Sequence, residues 1–218
     1  MAAVRTTLTA RDGHPLTAWR ADPAGTPKAR VVVLHAVYGL TTHIGDICTA
    51  WANAGYTAIA PALFDRLGKD IVHAYDNPAA GTASYNRLTE TQILTDIQAA
   101  AGDAPRVVIS GFCTGGTWAW LAASKLPFAA QVNFYGSAIP ALIDLNPLCP
   151  TILHYGDTDH VVSPTQIAAI AARHPQIDLH IYPGAGHAFL NPDQGNYAAT
   201  AAALAWARSL AFLEATLA

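Results

Sequence analysis

The sequence predicts an α/β fold with a mostly parallel central sheet, helices on both of its faces and an N-terminal antiparallel hairpin. From residue 31 onward, short continuous apolar runs alternate with segments of helical periodicity. That alternation is typical of parallel strands joined by helices. Before it, residues 6–10 and 15–19 alternate in polarity around Asp12-Gly13, a dipeptide that favours a hairpin turn.

A β-α-β unit is expected directly after the hairpin. Residues 31–34 and 57–60 are apolar runs, and residues 44–54 between them have helical spacing that ends at Gly55. The remaining elements repeat the pattern. In order they are helix 90–101, strand 107–109, helix 114–124, strand 132–134, strand 151–154, helix 164–172, strand 179–182 and helix 197–217.

Length and composition favour one domain over residues 1–218. Apolar residues make up 52% of the chain and charged residues 12%, against about 25% charged in typical domains, so the chain can build a large core. Residues 65–85 show little periodicity and form the only long irregular stretch. We expect this stretch to be a lid or a pocket wall.

Charge and hydropathy exclude several classes of partner. The net charge of -3 and the absence of a Lys/Arg cluster argue against binding to nucleic acid. No apolar run reaches the roughly 18 residues that span a bilayer, and the first ten residues do not resemble a signal peptide. We therefore expect a cytoplasmic protein that does not bind membranes, as a monomer or weak homodimer.

One of the three cysteines has the surroundings of a nucleophile. Cys113 lies in Gly-x-Cys-x-Gly, between a predicted strand and a predicted helix, and this pattern places a nucleophile on a sharp turn. The free N–H groups at the start of that helix favour a thiolate. A buried structural cysteine beside a glycine-rich turn is the alternative. Cys48 and Cys149 lack such glycines and are expected to be reduced packing residues.

A base and an acid follow the nucleophile in the expected chain order. Asp159 comes after strand 151–154 and His187 after strand 179–182, so both should lie at the carboxyl edge of the sheet with Cys113. The order nucleophile, acid, histidine is that of a catalytic triad on this kind of sheet.

Nearby polar residues could compete for these roles. We interpret Asp157 as a solvated turn residue and His160 as a loop histidine. A metal site of Asp157, Asp159 and His160 has no recognised ligand spacing. His35 follows a predicted strand, and its sequence position fits a hydrogen-bonded structural histidine as well as a catalytic one.

At this point the sequence resembles the dienelactone hydrolase (carboxymethylenebutenolidase) family of the α/β-hydrolase superfamily, from about Val31 to the end. The resemblance rests on five motifs in order: residues 35–40, 61–66, 111–116, 156–159 and 186–189. It implies a Cys-Asp-His triad of Cys113, Asp159 and His187, without a metal or other cofactor. It also implies an oxyanion hole formed by the backbone N–H groups of Val37 and Thr114.

The chain departs from the family pattern at two positions. Ala36 stands where the family usually has a glutamate beside the nucleophile. Asn191 stands where the dienelactone-cleaving members have an arginine that holds the substrate carboxylate. The reaction class therefore follows from the resemblance, but the dienelactone substrate does not. Residues in or near the motifs are expected to contact the substrate: Ala36, Tyr38, Phe112, Trp118, Phe189 and Asn191.

These observations predict a cofactor-free hydrolase of small esters or lactones that works through an acyl-cysteine intermediate. Two alternatives remain at this point. The chain could be a non-catalytic member of the fold that binds a ligand, or a redox sensor that uses Cys113. No resolving cysteine lies near Cys113 in the sequence, which counts against the sensor.

Overall fold

The fold contains eight strands and six α-helices, and the computed structural model describes all of residues 1–218. The strands are β1 (Val4–Thr9), β2 (Pro15–Ala21), β3 (Arg30–Leu34), β4 (Thr57–Pro61), β5 (Val107–Phe112), β6 (Ala130–Phe134), β7 (Thr151–Gly156) and β8 (Asp178–Tyr182). The helices are α1 (Thr42–Asn53), α2 (Pro78–Tyr85), α3 (Glu90–Ala101), α4 (Thr114–Ala123), α5 (Pro164–Arg173) and α6 (Ala199–Leu217). The sheet order is β1-β2-β4-β3-β5-β6-β7-β8. The predicted fold class is confirmed.

The chain divides into two compact units, Met1–Val108 and Ile109–Ala218. In the first unit, β1 and β2 form the predicted antiparallel hairpin, and β2 pairs antiparallel with β4. β3 and β4 pair in parallel. All of β4 is buried, as is β3 after its first residue, because α1 and α3 pack against these strands.

A buried ion pair holds the segment that follows β4. The guanidinium of Arg66 donates to the carboxylate of Asp96 on α3 at 2.6 Å and to Asp12 of the hairpin turn at 2.6 Å. The Asp96 side chain is 1% exposed and that of Arg66 is 7% exposed. These bonds fix the beginning of the stretch that the sequence predicts to be irregular.

That stretch, residues 65–85, contains a helix that the sequence analysis missed. The side chain of Asn77 accepts the N–H of Ala80, and Pro78 occupies the first helical position of α2, both common features of helix starts. Alanine, glycine, threonine and serine fill most of α2, so it has no apolar stripe that periodicity could detect. Tyr85 anchors its end by donating to the carbonyl of His35 at 2.8 Å. A role as lid or pocket wall stays a prediction.

In the second unit, β6, β7 and β8 run parallel, with Phe134 opposite His154 and His154 opposite His180. Their rings stack across the strands, with centroids 5.0 Å and 5.7 Å apart. His154 also hydrogen-bonds to the hydroxyls of Tyr182 at 2.8 Å and Ser209 of α6 at 2.9 Å. Stacked rings and side-chain hydrogen bonds therefore hold together the strands that lead into the loops of Asp159 and His187.

None of the six helices combines the length and the apolar character needed to cross a membrane. Each of the two units has its own buried side chains, Trp51 in the first and Trp120 in the second among the largest. A single domain over residues 1–218 and a cytoplasmic location stay predictions.

Candidate active site

Cys113 occupies the turn between β5 and α4 in a strained backbone conformation. Its φ is +55° and its ψ is -119°, a region that non-glycine residues enter only when the surrounding structure holds them there. A Cβ at Gly111 would overlap the backbone carbonyl of Gly115, so this turn requires glycine at residue 111. The thiol is thereby held at the amino end of α4.

Asp159 and His187 lie on the loops after β7 and β8 and form a hydrogen bond. His187 Nδ1 is 2.8 Å from Asp159 Oδ2. The other carboxylate oxygen, Oδ1, accepts the backbone N–H groups of Val161 at 2.7 Å and Val162 at 2.9 Å. Because the carboxylate is 0% exposed as a side chain and both oxygens are bonded, its orientation toward the imidazole is fixed.

Backbone contacts join the loops that carry these two residues. The N–H and the hydroxyl of Thr158 both donate to the carbonyl of Ala185, at 3.1 Å and 2.8 Å. A Cβ at Gly156 would overlap that same carbonyl. Asp157 accepts the N–H of Gly184 at 2.7 Å and is exposed. Asp157 is thus the turn residue that the sequence predicts, and it helps to hold the histidine loop.

The thiol and the imidazole shift each other's pKa. Burial raises the pKa of Cys113, but the imidazole of His187 together with the hydroxyls of Thr114 and Ser137 outweighs this effect, and the net pKa is lowered. Burial lowers the pKa of His187, but Asp159 and Cys113 outweigh it and raise the pKa to about 9. Burial also raises the pKa of Asp159, whose net pKa is nevertheless lowered, first by His187. These directions favour the pair of thiolate and imidazolium over the neutral thiol and imidazole.

The thiol and His187 do not form a well-aligned hydrogen bond in the resting structure. His187 Nε2 is buried and has no partner within hydrogen-bonding geometry, although the two groups are close enough to shift each other's pKa. Such contacts are often loose without a substrate and tighten when one binds. The arrangement can supply a nucleophile, a base and an orienting acid.

Two residues near the thiol and imidazole were missed by sequence reasoning. Tyr135 follows β6 with φ +44°, and its ring meets that of His187 edge-on at 5.1 Å. The N–H of Ser137 donates to the carbonyl of Cys113 at 3.1 Å. Both residues follow a parallel strand. That position in the sequence is the signal that could have placed them near the site. His160, predicted as a loop histidine, is exposed and lies 6.0 Å from the His187 ring.

The other two thiols lie in different environments. Burial raises the pKa of Cys48 to about 12 and that of Cys149 to about 11. All three cysteines are free. Cys48 and Cys149 are therefore protonated at neutral pH and poor nucleophiles.

In the first unit, the predicted residues lie directly after β3. Ala36 is half-buried and Val37 buried, while the half-buried Tyr38 packs its ring on Tyr75 at 4.7 Å. His35 bonds the carbonyl of Ala36 through Nδ1 and accepts the N–H of Leu63 through Nε2. Burial lowers its pKa to about 4, as expected of a neutral structural histidine. The roles of Ala36, Val37 and Tyr38 stay predictions.

In the second unit, the predicted substrate contacts are mostly buried. Phe112 is 2% exposed and stacks on Phe134, and Phe189 is 0% exposed and packs on Tyr135. Trp118 is half-buried. Asn191 is 5% exposed and accepts the N–H of Asp193 through Oδ1. Whether these side chains contact a substrate stays a prediction.

The side chains considered as metal ligands have other partners. Both oxygens of Asp159 and one oxygen of Asp157 accept hydrogen bonds from the protein. No group of three or more His, Cys, Asp or Glu side chains has an arrangement that could hold a metal ion.

Comparison with known proteins identifies similar chains along almost the entire length. A model of the dienelactone hydrolase family matches residues 16–217. "Putative carboxymethylenebutenolidase" of Escherichia coli K12 is 31% identical, and the alignment covers 91% of this chain and 82% of the relative. "Probable 2-oxo-3-(5-oxofuran-2-ylidene)propanoate lactonase" of Bradyrhizobium is 30% identical and covers 93% of this chain and 90% of the relative. The crystal structure of a "Putative Dienelactone Hydrolase" from Klebsiella pneumoniae superposes with a TM-score of 0.85 at 28% identity, covering 97% of this chain and 98% of that one.

Proposed function

The chain belongs to the dienelactone hydrolase family and is an ester or lactone hydrolase, and we propose that it cleaves small substrates with Cys113 as nucleophile, His187 as base and Asp159 as orienting acid. The observation that supports this assignment most is the Asp159–His187 hydrogen bond of 2.8 Å, coupled to a thiol whose pKa is lowered. Activated nucleophiles in other hydrolases depend on the same relation between three groups.

In the first half of the proposed reaction, Sγ of Cys113 attacks the carbonyl carbon and the carbonyl oxygen becomes an oxyanion. The N–H of Thr114, at the start of α4, is a donor for that oxyanion, and family resemblance suggests the N–H of Val37 as the second donor. His187 then donates its Nε2 proton to the departing alkoxide. The alcohol leaves, and Cys113 carries the acyl group as a thioester.

In the second half, His187 removes a proton from water, and the hydroxide attacks the thioester carbonyl. Collapse of the intermediate breaks the C–S bond and releases the carboxylic acid, while the thiolate and imidazolium re-form. Asp159 keeps Nδ1 protonated and directs Nε2 to the reacting atoms. The side chains present supply every proton transfer in this cycle.

A panel of p-nitrophenyl esters and simple lactones tests the proposed function, with and without prior alkylation by iodoacetamide. We expect hydrolysis by the untreated protein and its loss after alkylation. Ligand binding without turnover would instead identify a non-catalytic member of the family. Unchanged turnover after complete alkylation of Cys113 would reject the cysteine mechanism. The monomeric or weakly dimeric state stays a prediction.

The Asp159→Asn and Asp157→Asn variants should differ strongly. Asp159→Asn keeps the shape but offers Nδ1 the wrong hydrogen-bonding group, which costs up to about 10⁴-fold in kcat in a comparable triad. Asp157→Asn keeps an oxygen that can accept the N–H of Gly184 on the histidine loop, so it should keep most of the activity. The measurement is kcat for p-nitrophenyl acetate. A larger loss in Asp157→Asn would show that the wrong aspartate was assigned.

Substrate charge should matter, because Asn191 stands where a carboxylate-binding arginine would be expected. A substrate carboxylate buried without a cationic partner loses hydration that the site does not replace. We expect kcat/KM to favour a neutral ester over its carboxylated analogue by at least about tenfold, equivalent to roughly 1.4 kcal/mol. A preference for the acid in this matched pair would reject the idea.

Iodoacetamide should alkylate Cys113 rapidly even at pH values below the pKa of an ordinary thiol. Because His187 lowers the pKa of Cys113, the thiolate persists as the pH falls, until it is protonated at that lowered value. In the Cys48→Ala/Cys149→Ala background, iodoacetamide inactivation should give an apparent pKa below about 8.5. Ala36→Glu adds the carboxylate usual in the family and should raise that value by like-charge repulsion. A parent pKa at or above that of a free thiol, or slower alkylation of the parent than of Ala36→Glu, would contradict this prediction.

A further inference from the structure

Tyr135 has a backbone conformation that is rare for a bulky side chain. In the second unit, three residues other than glycine have a positive φ: Cys113 at +55°, Tyr135 at +44° and Ala188 at +62°. Cys113 is the proposed nucleophile, and Ala188 directly follows the proposed base, His187. A large aromatic residue adopts such a φ only where the surrounding structure holds it, and residues strained in this way cluster at functional sites. Tyr135 is therefore a candidate for a role in the same site.

Hydrogen bonds to β7 hold the backbone around Tyr135 in place. The N–H of Tyr135 donates to the carbonyl of His154 at 2.8 Å. The hydroxyl of Tyr155 donates to the carbonyl of Gly136, the next residue in the chain, at 2.8 Å. His154 and Tyr155 are both fully buried, and β7 leads into the loop that carries Asp159. The strand before Asp159 therefore also fixes the position of Tyr135.

The ring of Tyr135 lies against the imidazole of His187. The two ring centroids are 5.1 Å apart and the ring planes meet at 61°, an edge-on geometry that aromatic rings favour. Phe189 packs on the Tyr135 ring at 5.4 Å, and the rings of Phe112 and Phe134 have centroids 6.2 Å and 6.4 Å from it. Tyr135 is 2% exposed. Its ring is thus enclosed and offers His187 a rigid surface.

His187 needs such a surface because one hydrogen bond leaves the tilt of its ring undetermined. Nδ1 bonds to Asp159 at 2.8 Å, whereas Nε2 has no partner. If the imidazole tilts about the bonded atom, Nε2 moves much farther than Nδ1. The ring of His160 also lies beside His187, but it is exposed and its centroid is 6.0 Å away. The buried ring of Tyr135 is therefore the better placed neighbour to limit the tilt.

We propose that Tyr135 is a positioning residue for His187, whose imidazole it holds in the plane that joins Nδ1 to Asp159 and directs Nε2 to the reacting atoms. The strained backbone places the tyrosine ring, and the ring limits the tilt of the imidazole. This role rests on the proposed function, in which His187 is the base for Cys113. Tyr135 itself transfers no proton and forms no bond to the substrate.

A mobile imidazole would weaken two properties of the site. His187 takes part in the proton transfers of both halves of the proposed reaction, so loss of its alignment should slow acylation and deacylation together. In that case kcat falls while KM changes little. The imidazole also lowers the pKa of Cys113, and this effect depends on its position. A tilted ring should therefore raise the pKa of the thiol.

Tyr135→Leu removes the planar ring and keeps a buried apolar side chain. In the Cys48→Ala/Cys149→Ala background, we expect the apparent pKa of Cys113 in iodoacetamide alkylation to rise by at least about half a unit, which slows alkylation well below that pKa roughly threefold. We expect kcat for p-nitrophenyl acetate to fall by about 10- to 100-fold with little change in KM. Tyr135→Phe keeps the ring and should behave like the parent in both measurements.

Tyr56→Leu is the matched control, because it makes the same change at an equally buried tyrosine. Tyr56 is 1% exposed, directly precedes β4 and packs on Trp51 with ring centroids 5.5 Å apart. We expect this variant to lose stability, as Tyr135→Leu does, but to keep the pKa of Cys113 and kcat near the parent values. A denaturation curve for each variant shows that the protein measured is folded.

Several results would overturn the proposal. They are parent values of pKa and kcat in folded Tyr135→Leu, equal losses in Tyr135→Phe and Tyr135→Leu, and a lower kcat in Tyr135→Leu without a shift in the pKa of Cys113. Shifts as large in Tyr56→Leu would also overturn it, because they would follow from any loss of packing. If Tyr135→Leu fails to fold, Tyr135→Met, which fills a similar volume without a planar ring, is measured against the same criteria.

The same variants distinguish failure of this proposal from failure of the proposed function. If Tyr135 has no positioning role, Tyr135→Leu matches the parent while Cys113→Ala and His187→Ala are still inactive. If the proposed function is wrong, Cys113→Ala hydrolyses esters at the parent rate, whatever the thiol titration of Tyr135→Leu gives.

Discussion

Replacement of Cys113 by alanine is expected to abolish ester hydrolysis. Alanine keeps a small side chain on the strained turn but removes the atom that would form the acyl intermediate. In serine hydrolases, loss of the nucleophile costs roughly 10⁶-fold in kcat, and the remaining catalysis comes from the oxyanion hole and substrate binding. We expect a loss of at least about 10⁴-fold, measured as kcat for p-nitrophenyl acetate.

The matched controls are Cys48→Ala and Cys149→Ala. Burial raises the pKa of these thiols to about 12 and about 11, so neither supplies a thiolate at neutral pH. Both variants should keep most of the parent activity, apart from any loss of stability at the buried Cys48. Activity of purified Cys113→Ala near that of the parent would reject the cysteine mechanism. Loss of activity in a folded Cys149→Ala variant would point to a second functional thiol.

The order of strands and helices could be predicted because it depends on local pattern. Two apolar runs of four residues and the helical spacing between them mark β3, α1 and β4 in the sequence to within two residues of their bounds in the structure. The carboxyl-edge rule for parallel strands then places Cys113, Asp159 and His187 on loops after strands. The hydrogen bond between Asp159 and His187 agrees with that expectation.

The choice between Asp157 and Asp159 shows where local pattern becomes insufficient. Both follow β7 within three residues, and chain order fits either of them. In the structure, the N–H groups of Val161 and Val162 bind one oxygen of Asp159 and turn the other toward His187. Asp157 points to the N–H of Gly184 instead. The family resemblance also implies Asp159.

The features that were missed depend on long-range contacts. Helix α2 has no apolar stripe, and its end is anchored by a bond from Tyr85 to His35, which lies 50 residues earlier. The N–H of Ser137 donates to the carbonyl of Cys113, which lies 24 positions earlier in the chain. Neither contact produces a periodic pattern in the sequence. Such residues are found by asking which side chains follow each parallel strand, including the uncharged ones.

Replacement of His187 by alanine should lower ester hydrolysis almost as much as loss of the thiol, because the imidazole takes part in every proton transfer of the proposed mechanism. It also lowers the pKa of Cys113, so His187→Ala should leave a thiol that alkylates slowly at neutral pH, a second readout independent of turnover. Residues that act as one unit are not additive, and the double variant Cys113→Ala/His187→Ala should be little worse than either single one. His160→Ala removes the exposed imidazole 6.0 Å away and, as the matched control, should keep most of the activity. If His160→Ala proved the more harmful change, or if the losses in the double variant multiplied, His187 would not be the base that serves Cys113.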